Sequence, residues 1–283
     1  MTVPTTGTAG SRSTALEFED DFASGFDYLG PDGRWQVRPV GPRPHGDGVV
    51  ATSEDGLVVV PTGTNPTTRR PCFAGSPDEG GHLRWAALAN RTSTGGFPGF
   101  DAGVNGRLVV EAEVSARVFG LDDHPYDDVT DPDRDLRLGT AALITVDRET
   151  GVVFDFFLAN RCLYAVYERL PQNDGDGAVF SYATPVSDRE PEEFHRCAIA
   201  YSRREGVVRW FVGGREVLAV DRIGRRALAP GFLIHDNDQP DRSVDPRQLT
   251  VGMGLMADRA WGQGVQLAVR HVVVSSGLGQ EPA

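Results

Sequence analysis

Short runs rich in Val, Phe, Tyr and Trp recur along this chain between clusters of Gly, Pro, Asp and Asn, and no long segment holds a 3.6-residue apolar period. A chain patterned this way has no helical face to bury, so its core must be built from strands. The runs predict strands at 16–22, 35–38, 56–60, 83–89, 107–119, 138–147, 152–159, 162–170, 178–184, 195–201, 207–212, 216–221, 249–256 and 265–274. That number suits an all-β, two-sheet antiparallel sandwich. At 283 residues the chain is within reach of one large sandwich, and no linker or internal repeat divides it. The reading is a single domain over 16–275, a disordered Thr/Gly/Ser-rich segment at 1–15 and a short tail at 276–283.

Two hairpins are marked by their turns. Gly213-Gly214 separates two strands and can take the positive φ angles of a tight primed turn. Ala159-Asn160-Arg161 separates another pair, with Asn expected in the left-handed conformation. Long loops at 61–81, 120–137 and 224–247 are candidate walls or lids of a site.

Charge narrows the partners. The 28 basic residues, all of them Arg, face 40 acidic ones, for a net charge of −12. Without lysine there is no amine for Schiff-base or pyridoxal chemistry. The acidic balance repels phosphate backbones and anionic lipid headgroups, so a small-molecule substrate is expected rather than nucleic acid or membrane. The first 14 residues lack the apolar stretch of a secretory signal, and no apolar run is long enough to span a bilayer. Cys72, Cys162 and Cys197 form an odd, widely spaced set with no zinc-type grouping, which reads as reduced thiols in a cytoplasmic protein. A secreted chain whose signal has been removed stays open. Oligomeric state is not legible.

Phe18-Glu19-Asp20-Asp21-Phe22, Trp35, the Asp55-Gly56-Leu57 turn and the hairpin from Val208 to Val217 resemble concanavalin-A-like lectin/glucanase jelly rolls. The stretches 60–66, 96–101 and 167–171 resemble, more closely, a bacterial family of unknown function that is itself similar to that jelly roll. The resemblance implies a jelly-roll sandwich and leaves the reaction open. Glucanases on this fold carry three acids along one strand, and Glu111 and Glu113 imitate two of them. The third is missing, because Val114, Ser115, Ala116 and Arg117 follow. The alternative is a solvated strand face whose core side is Val110, Ala112, Val114, Ala116 and Val118.

The 152–170 hairpin is the richer patch. Asp155 and Glu168 stand among bulky residues in strands that otherwise read as buried. An acid in an apolar wall has a raised pKa, which suits proton donation; the alternative is a structural ion pair with Arg161, Arg169 or Arg209. Glu168 and Asp155 are therefore the candidate catalytic residues. Tyr164, Tyr167, Trp85, His124, Tyr126, Arg137 and Trp210 are candidate substrate contacts, with inter-sheet packing as the alternative for both tryptophans. The loop 121–135 holds seven aspartates and one histidine but lacks the Gly and Glu of an EF-hand, so it reads as a solvated acidic loop partly neutralised by Arg134 and Arg137. The acidic run 235–241 reads the same way. No metal site, nucleophile elbow, phosphate loop or dinucleotide fingerprint is present in the sequence.

An enzyme of this kind would work by shape and a few hydrogen bonds, with no metal or organic cofactor. The expectation is a cofactor-independent cyclase or isomerase of specialised metabolism that folds a reactive polyketide-like substrate in an apolar cavity. One alternative is a carbohydrate-binding lectin-like module or degenerate glucanase. Another is a non-catalytic small-ligand-binding domain.

Overall fold

The computed structural model describes residues 14–75, 81–172 and 177–277. The expected disordered start and tail fall largely on residues 1–13 and 278–283, outside the described residues. Strands begin at Thr14 and end at Gly277.

Among the described residues, two large antiparallel sheets stack into a jelly-roll sandwich. The eight-stranded sheet runs Arg215–Val220, Val207–Val212, His195–Ser202, Arg107–Phe119, Gly264–Gly277, Gly56–Val60 and Val49–Ser53, with Thr14–Asp20 also paired to Gly264–Gly277. The nine-stranded sheet runs Leu233–Asp236, Phe180–Asp188, Cys162–Arg169, Val152–Leu158, Thr140–Val146, Gln248–Met256, Leu83–Ala89 and Trp35–Val37, with Phe100–Asp101 also paired to Gln248–Met256.

The sheets differ in what their outer faces meet. Arg107–Phe119 alternates as predicted, with Leu108, Val110, Ala112, Val114, Ala116 and Val118 buried in the shared core. Its outward Glu111 and Glu113 pair with Arg196 at 2.7 Å and Arg270 at 2.8 Å, which is a solvated strand face held by ion pairs. In the nine-stranded sheet, Thr140–Val146 and Gln248–Met256 are buried at every position. Ala86, Leu88, Ala142, Ile144, Val146, Val153 and Met256 form a second apolar cluster, separate from the inter-sheet core. Alternation puts that cluster on the outer face. Strands buried on both sides read as continuous apolar runs, and the sequence over these strands does so.

Aromatic rings concentrate between the sheets. Phe154 meets Trp210 edge-on at 5.9 Å and stacks on Tyr167 at 6.2 Å, and Tyr167 reaches Phe180 at 5.2 Å. The Gly213-Gly214 turn has both glycines at positive φ, 56° and 76°, as the two-residue primed turn requires. Asn160 departs from expectation, being absent from the positive-φ residues. Its side-chain amide instead brackets the backbone of Val118, accepting from the N–H at 2.7 Å and donating to the carbonyl at 3.1 Å. That contact ties the turn to the opposite sheet. Arg189, 3 % exposed, makes a second tie by donating to the carbonyls of Ala116 in one sheet and of Ala159 and Asn160 at the edge of the other.

Candidate functional site

The Val152–Leu158 and Cys162–Arg169 strands pair with Val153 opposite Glu168, Asp155 opposite Val166 and Phe157 opposite Tyr164. Cross-strand partners share a face, and Val153 belongs to the outer apolar cluster. Asp155, Phe157, Tyr164 and Glu168 therefore all stand on the outer face of the nine-stranded sheet. The row continues across two more strands, because Ser181 lies opposite Glu168 and His235 opposite Ser181.

The floor beside this row is made of small residues. A Cβ on Gly252 would lie 2.4 Å from the Ala87 carbonyl oxygen and 2.5 Å from Leu88 Cδ2. One on Gly254 would lie 3.0 Å from Ile144 Cδ1. Glycine at these positions lets Leu88 and Ile144 lie down across the face.

The two carboxyl groups are perturbed for related reasons. Asp155 is 3 % exposed and accepts a hydrogen bond from the Thr145 N–H at 2.7 Å. Burial pushes its pKa well above the usual range; the Thr145 bond opposes this and the nearby Glu168 reinforces it. Glu168 is half-buried, and burial raises its pKa too. A hydrogen bond from Ser181 and the charges of His82 and His235 pull it back toward the anion. The three arginines that could have neutralised the pair are engaged elsewhere. Arg161 faces Asp133 and Glu190, Arg169 donates to backbone carbonyls, and Arg209 pairs with Glu205 and Glu216. Neither carboxyl is therefore paired with these arginines, and the structural ion-pair alternative does not apply to them.

The other expected contacts separate into two groups. Trp85, Trp210 and Tyr167, at 1 %, 0 % and 0 % exposure, lie in the inter-sheet core, which for the two tryptophans is the packing alternative. Alternation turned them inward. The Trp210 Nε1–H donates to the Asp155 carbonyl oxygen at 3.0 Å, and the Tyr167 hydroxyl accepts from the Gly224 N–H at 2.7 Å. Tyr164 does face outward, but its hydroxyl donates to the Arg134 carbonyl at 2.9 Å and so anchors the 120–137 loop. Within that loop Tyr126 packs edge-on against Trp261 at 6.0 Å, and Arg137 lies 4.9 Å above the Tyr126 ring. Arg137 also holds Asp128 at 3.0 Å and Asp135 at 2.7 Å, and His124 Nδ1 accepts from the Tyr126 N–H at 3.4 Å. These three polar side chains are spent on holding the loop together.

His82, Ser181 and His235 escaped the sequence reading as members of a site. His82 lies within electrostatic reach of both Glu168 and Asp258. Register alone could have found Ser181 and His235, had the short strand Leu233–Asp236 been legible inside the 224–247 loop. Among the described residues no group of three or more His, Cys, Asp or Glu side chains gathers as metal ligands do, and Asp128, Asp131, Asp133 and Asp135 of the acidic loop face arginines. All three cysteines are free and buried. No helix among the described residues is long and apolar enough to cross a membrane.

The GH16 protein of the Bacteroides ovatus mixed linkage glucan PUL is similar over 91 % of this chain and 99 % of its own, with 9 % identity and a TM-score of 0.49. A pseudo beta-1,3-glucanase of Mycobacterium tuberculosis is similar over 92 % and 98 %, with 14 % identity and a TM-score of 0.47. An uncharacterized protein of Acanthamoeba polyphaga mimivirus is 26 % identical over 43 % of this chain, and the match spans 41 % of that protein's length. Residues 19–277 match the model of a family of unknown function (DUF6081), and the chain belongs to that family.

Proposed function

We propose that the outer face of the nine-stranded sheet is a carbohydrate-acting groove in which Glu168 is the acid–base residue and Asp155 the positioning residue behind it. The observation that carries this reading is the register. It makes the two carboxyls diagonal neighbours on one face, about 7–8 Å apart by strand geometry, with no arginine paired to either among the described residues. Asp155, the deeper of the two, keeps its proton because burial and the charge of Glu168 both oppose ionisation. Glu168 loses its proton first, since Ser181, His82 and His235 favour its anion. A half-buried carboxyl lifted toward neutrality can both give and take a proton at a glycosidic oxygen, which is the role such groups play in glycoside hydrolysis.

The test is release of reducing ends from a panel of β-glucans and uronate polymers. Turnover by the wild-type protein and a loss of about 100-fold or more in Glu168→Gln, with binding retained, support the reading. Glycan binding without turnover, unchanged in Glu168→Gln, makes the chain a lectin-like module instead. Absence of both binding and turnover refutes the carbohydrate reading.

The apolar side chains around the pair, Val153, Ile144 and Phe157, favour a second reading. A protonated carboxyl in such surroundings could donate a hydrogen bond to an activated carbonyl while the walls fold a polyketide-like substrate for cyclisation. Tight binding of an apolar polyketone mimic, lost in Glu168→Ala and unaffected by sugars, would select it.

A further inference from the structure

Where the Cys162–Arg169 strand ends, immediately beyond Glu168, a cleft of about 460 Å³ opens between the 147–151 turn and the segments around Gln172 and Pro240. Two arginines on its wall, Arg169 and Arg242, form no ion pair with a carboxylate among the described residues. Arg169 is 7 % exposed and gives its N–H groups to the carbonyls of Gly224 at 2.9 Å, Pro240 at 2.8 Å and Arg242 at 3.5 Å. Arg242 is exposed and donates to Gln172 Oε1 at 3.1 Å. Asp241, the carboxylate on the same wall, is taken by Arg226 at 2.6 Å, which holds Asp236 as well.

This arrangement is costly as it stands. Carbonyl oxygens satisfy the donors of a guanidinium without cancelling its charge, and an uncompensated buried charge is destabilising. Burial pushes the Arg169 pKa down; Asp241 opposes that, while Arg226 and Arg242 add to it by repulsion. Elsewhere in this acidic chain Arg137, Arg203 and Arg247 each lie against a carboxylate at 2.5–2.7 Å. Two arginines with no carboxylate partner among the described residues meet in this one cleft, and a bound anion would relieve them. The rest of the wall is mixed, with Leu170, Pro171, Val179, Pro240 and Val244 supplying apolar surface and Thr150, Gln172 and Gln239 polar groups beside the guanidinium groups. The volume is in the range of small-molecule sites, about 300–1,000 Å³.

We propose that this cleft binds a small organic anion, with a carboxylate seated between Arg169 and Arg242 and an apolar body resting on Leu170, Val179 and Val244. The site stands independently of the carbohydrate reading, because none of these residues belongs to the Asp155–Glu168 row. Cyclohexanecarboxylate serves as probe, with its neutral carboxamide and inorganic sulfate as controls, read by titration calorimetry and by the shift in Tm. The carboxylate is expected to bind and raise the Tm, the carboxamide to do neither, and sulfate to bind more weakly for want of the apolar body. Arg242→Ala removes an exposed side chain and keeps the backbone carbonyl that Arg169 uses. It should leave the unliganded Tm unchanged and weaken the carboxylate by about tenfold or more, as loss of a charge-assisted contact does. Failure of the carboxylate to bind, equal binding of the carboxamide, or undiminished binding by a folded Arg242→Ala protein overturns the proposal. Sulfate binding as tight as the carboxylate overturns the apolar half of it.

Discussion

Asp155→Asn isolates the contribution of a buried acid to stability. The wild-type carboxyl is 3 % exposed, lies beside Glu168 and is held by burial well above the ordinary aspartate value of 3.8. Above about pH 4 the unfolded chain releases this proton while the folded protein retains it. The folded state then binds more protons than the unfolded state, so stability falls as pH rises. The fall is up to about 1.4 kcal/mol per pH unit and continues until the folded pKa is passed. Below pH 4 the contribution is fully present. Asparagine has no such proton but keeps an oxygen to accept the Thr145 N–H. The stability of the variant relative to wild type should therefore climb with pH, by up to about 2.7 kcal/mol between pH 4.5 and 6.5. Urea denaturation of both proteins at half-unit pH intervals from 4.5 to 7.5 measures this difference. Other titrating groups, Glu168 among them, are present in both proteins and largely cancel. A constant offset over the whole interval would mean that Asp155 ionises normally in the folded protein, and the assignment of a retained proton to this buried acid would fail with it.

Three further perturbations test the frame around the site. Arg189→Met removes the donors that tie the carbonyls of Ala116, Ala159 and Asn160 together between the sheets, and should cost about 3 kcal/mol or more in urea denaturation; a change under about 1 kcal/mol would show that the tie carries little. Gly252→Ala drives a Cβ to 2.4 Å from the Ala87 carbonyl, so it should lower the Tm by several degrees and disturb ligand binding on the outer face. An unaltered Tm would mean the two strands can part without penalty. Replacing Glu111 and Glu113 together by Gln removes two exposed ion pairs, with an expected loss of no more than about 1 kcal/mol and no effect on glycan or carboxylate binding. Lost binding in that variant would move the functional face to the other sheet.

The strand inventory was written into local pattern wherever burial alternates or is continuous. Arg107–Phe119 shows a two-residue period because one face meets the core, and Thr140–Val146 shows an unbroken apolar run because side chains on both of its faces are buried in apolar clusters. The strands that escaped detection are edges and short ribbons. Val49–Ser53 and Leu233–Asp236 expose most of their side chains, so no burial was available to leave a signature in their residues. Their pairing is set by backbone hydrogen bonds, which side-chain composition does not encode. The Asp155 and Glu168 carboxyls were visible as acids in apolar strands, and that anomaly needs only the sequence to notice.

Tertiary structure alone decided which face they share, because face depends on register and register depends on how the hairpin closes. It also decided that Trp85, Trp210 and Tyr167 turn inward while Tyr164 turns outward, since alternation fixes relative sides within a strand and the partner sheet fixes which side is the core. The arginines behaved likewise. Arg161, Arg169 and Arg209 are near the acids in sequence or by expected pairing, yet each is satisfied by a loop or neighbour that lies close only after folding. Sequence determined that this chain is a sandwich with two misplaced acids. Folding determined that these acids stand as diagonal neighbours on one outer face, with no arginine paired to either among the described residues, because proximity across strands is a property of the closed sheet and of no segment within it.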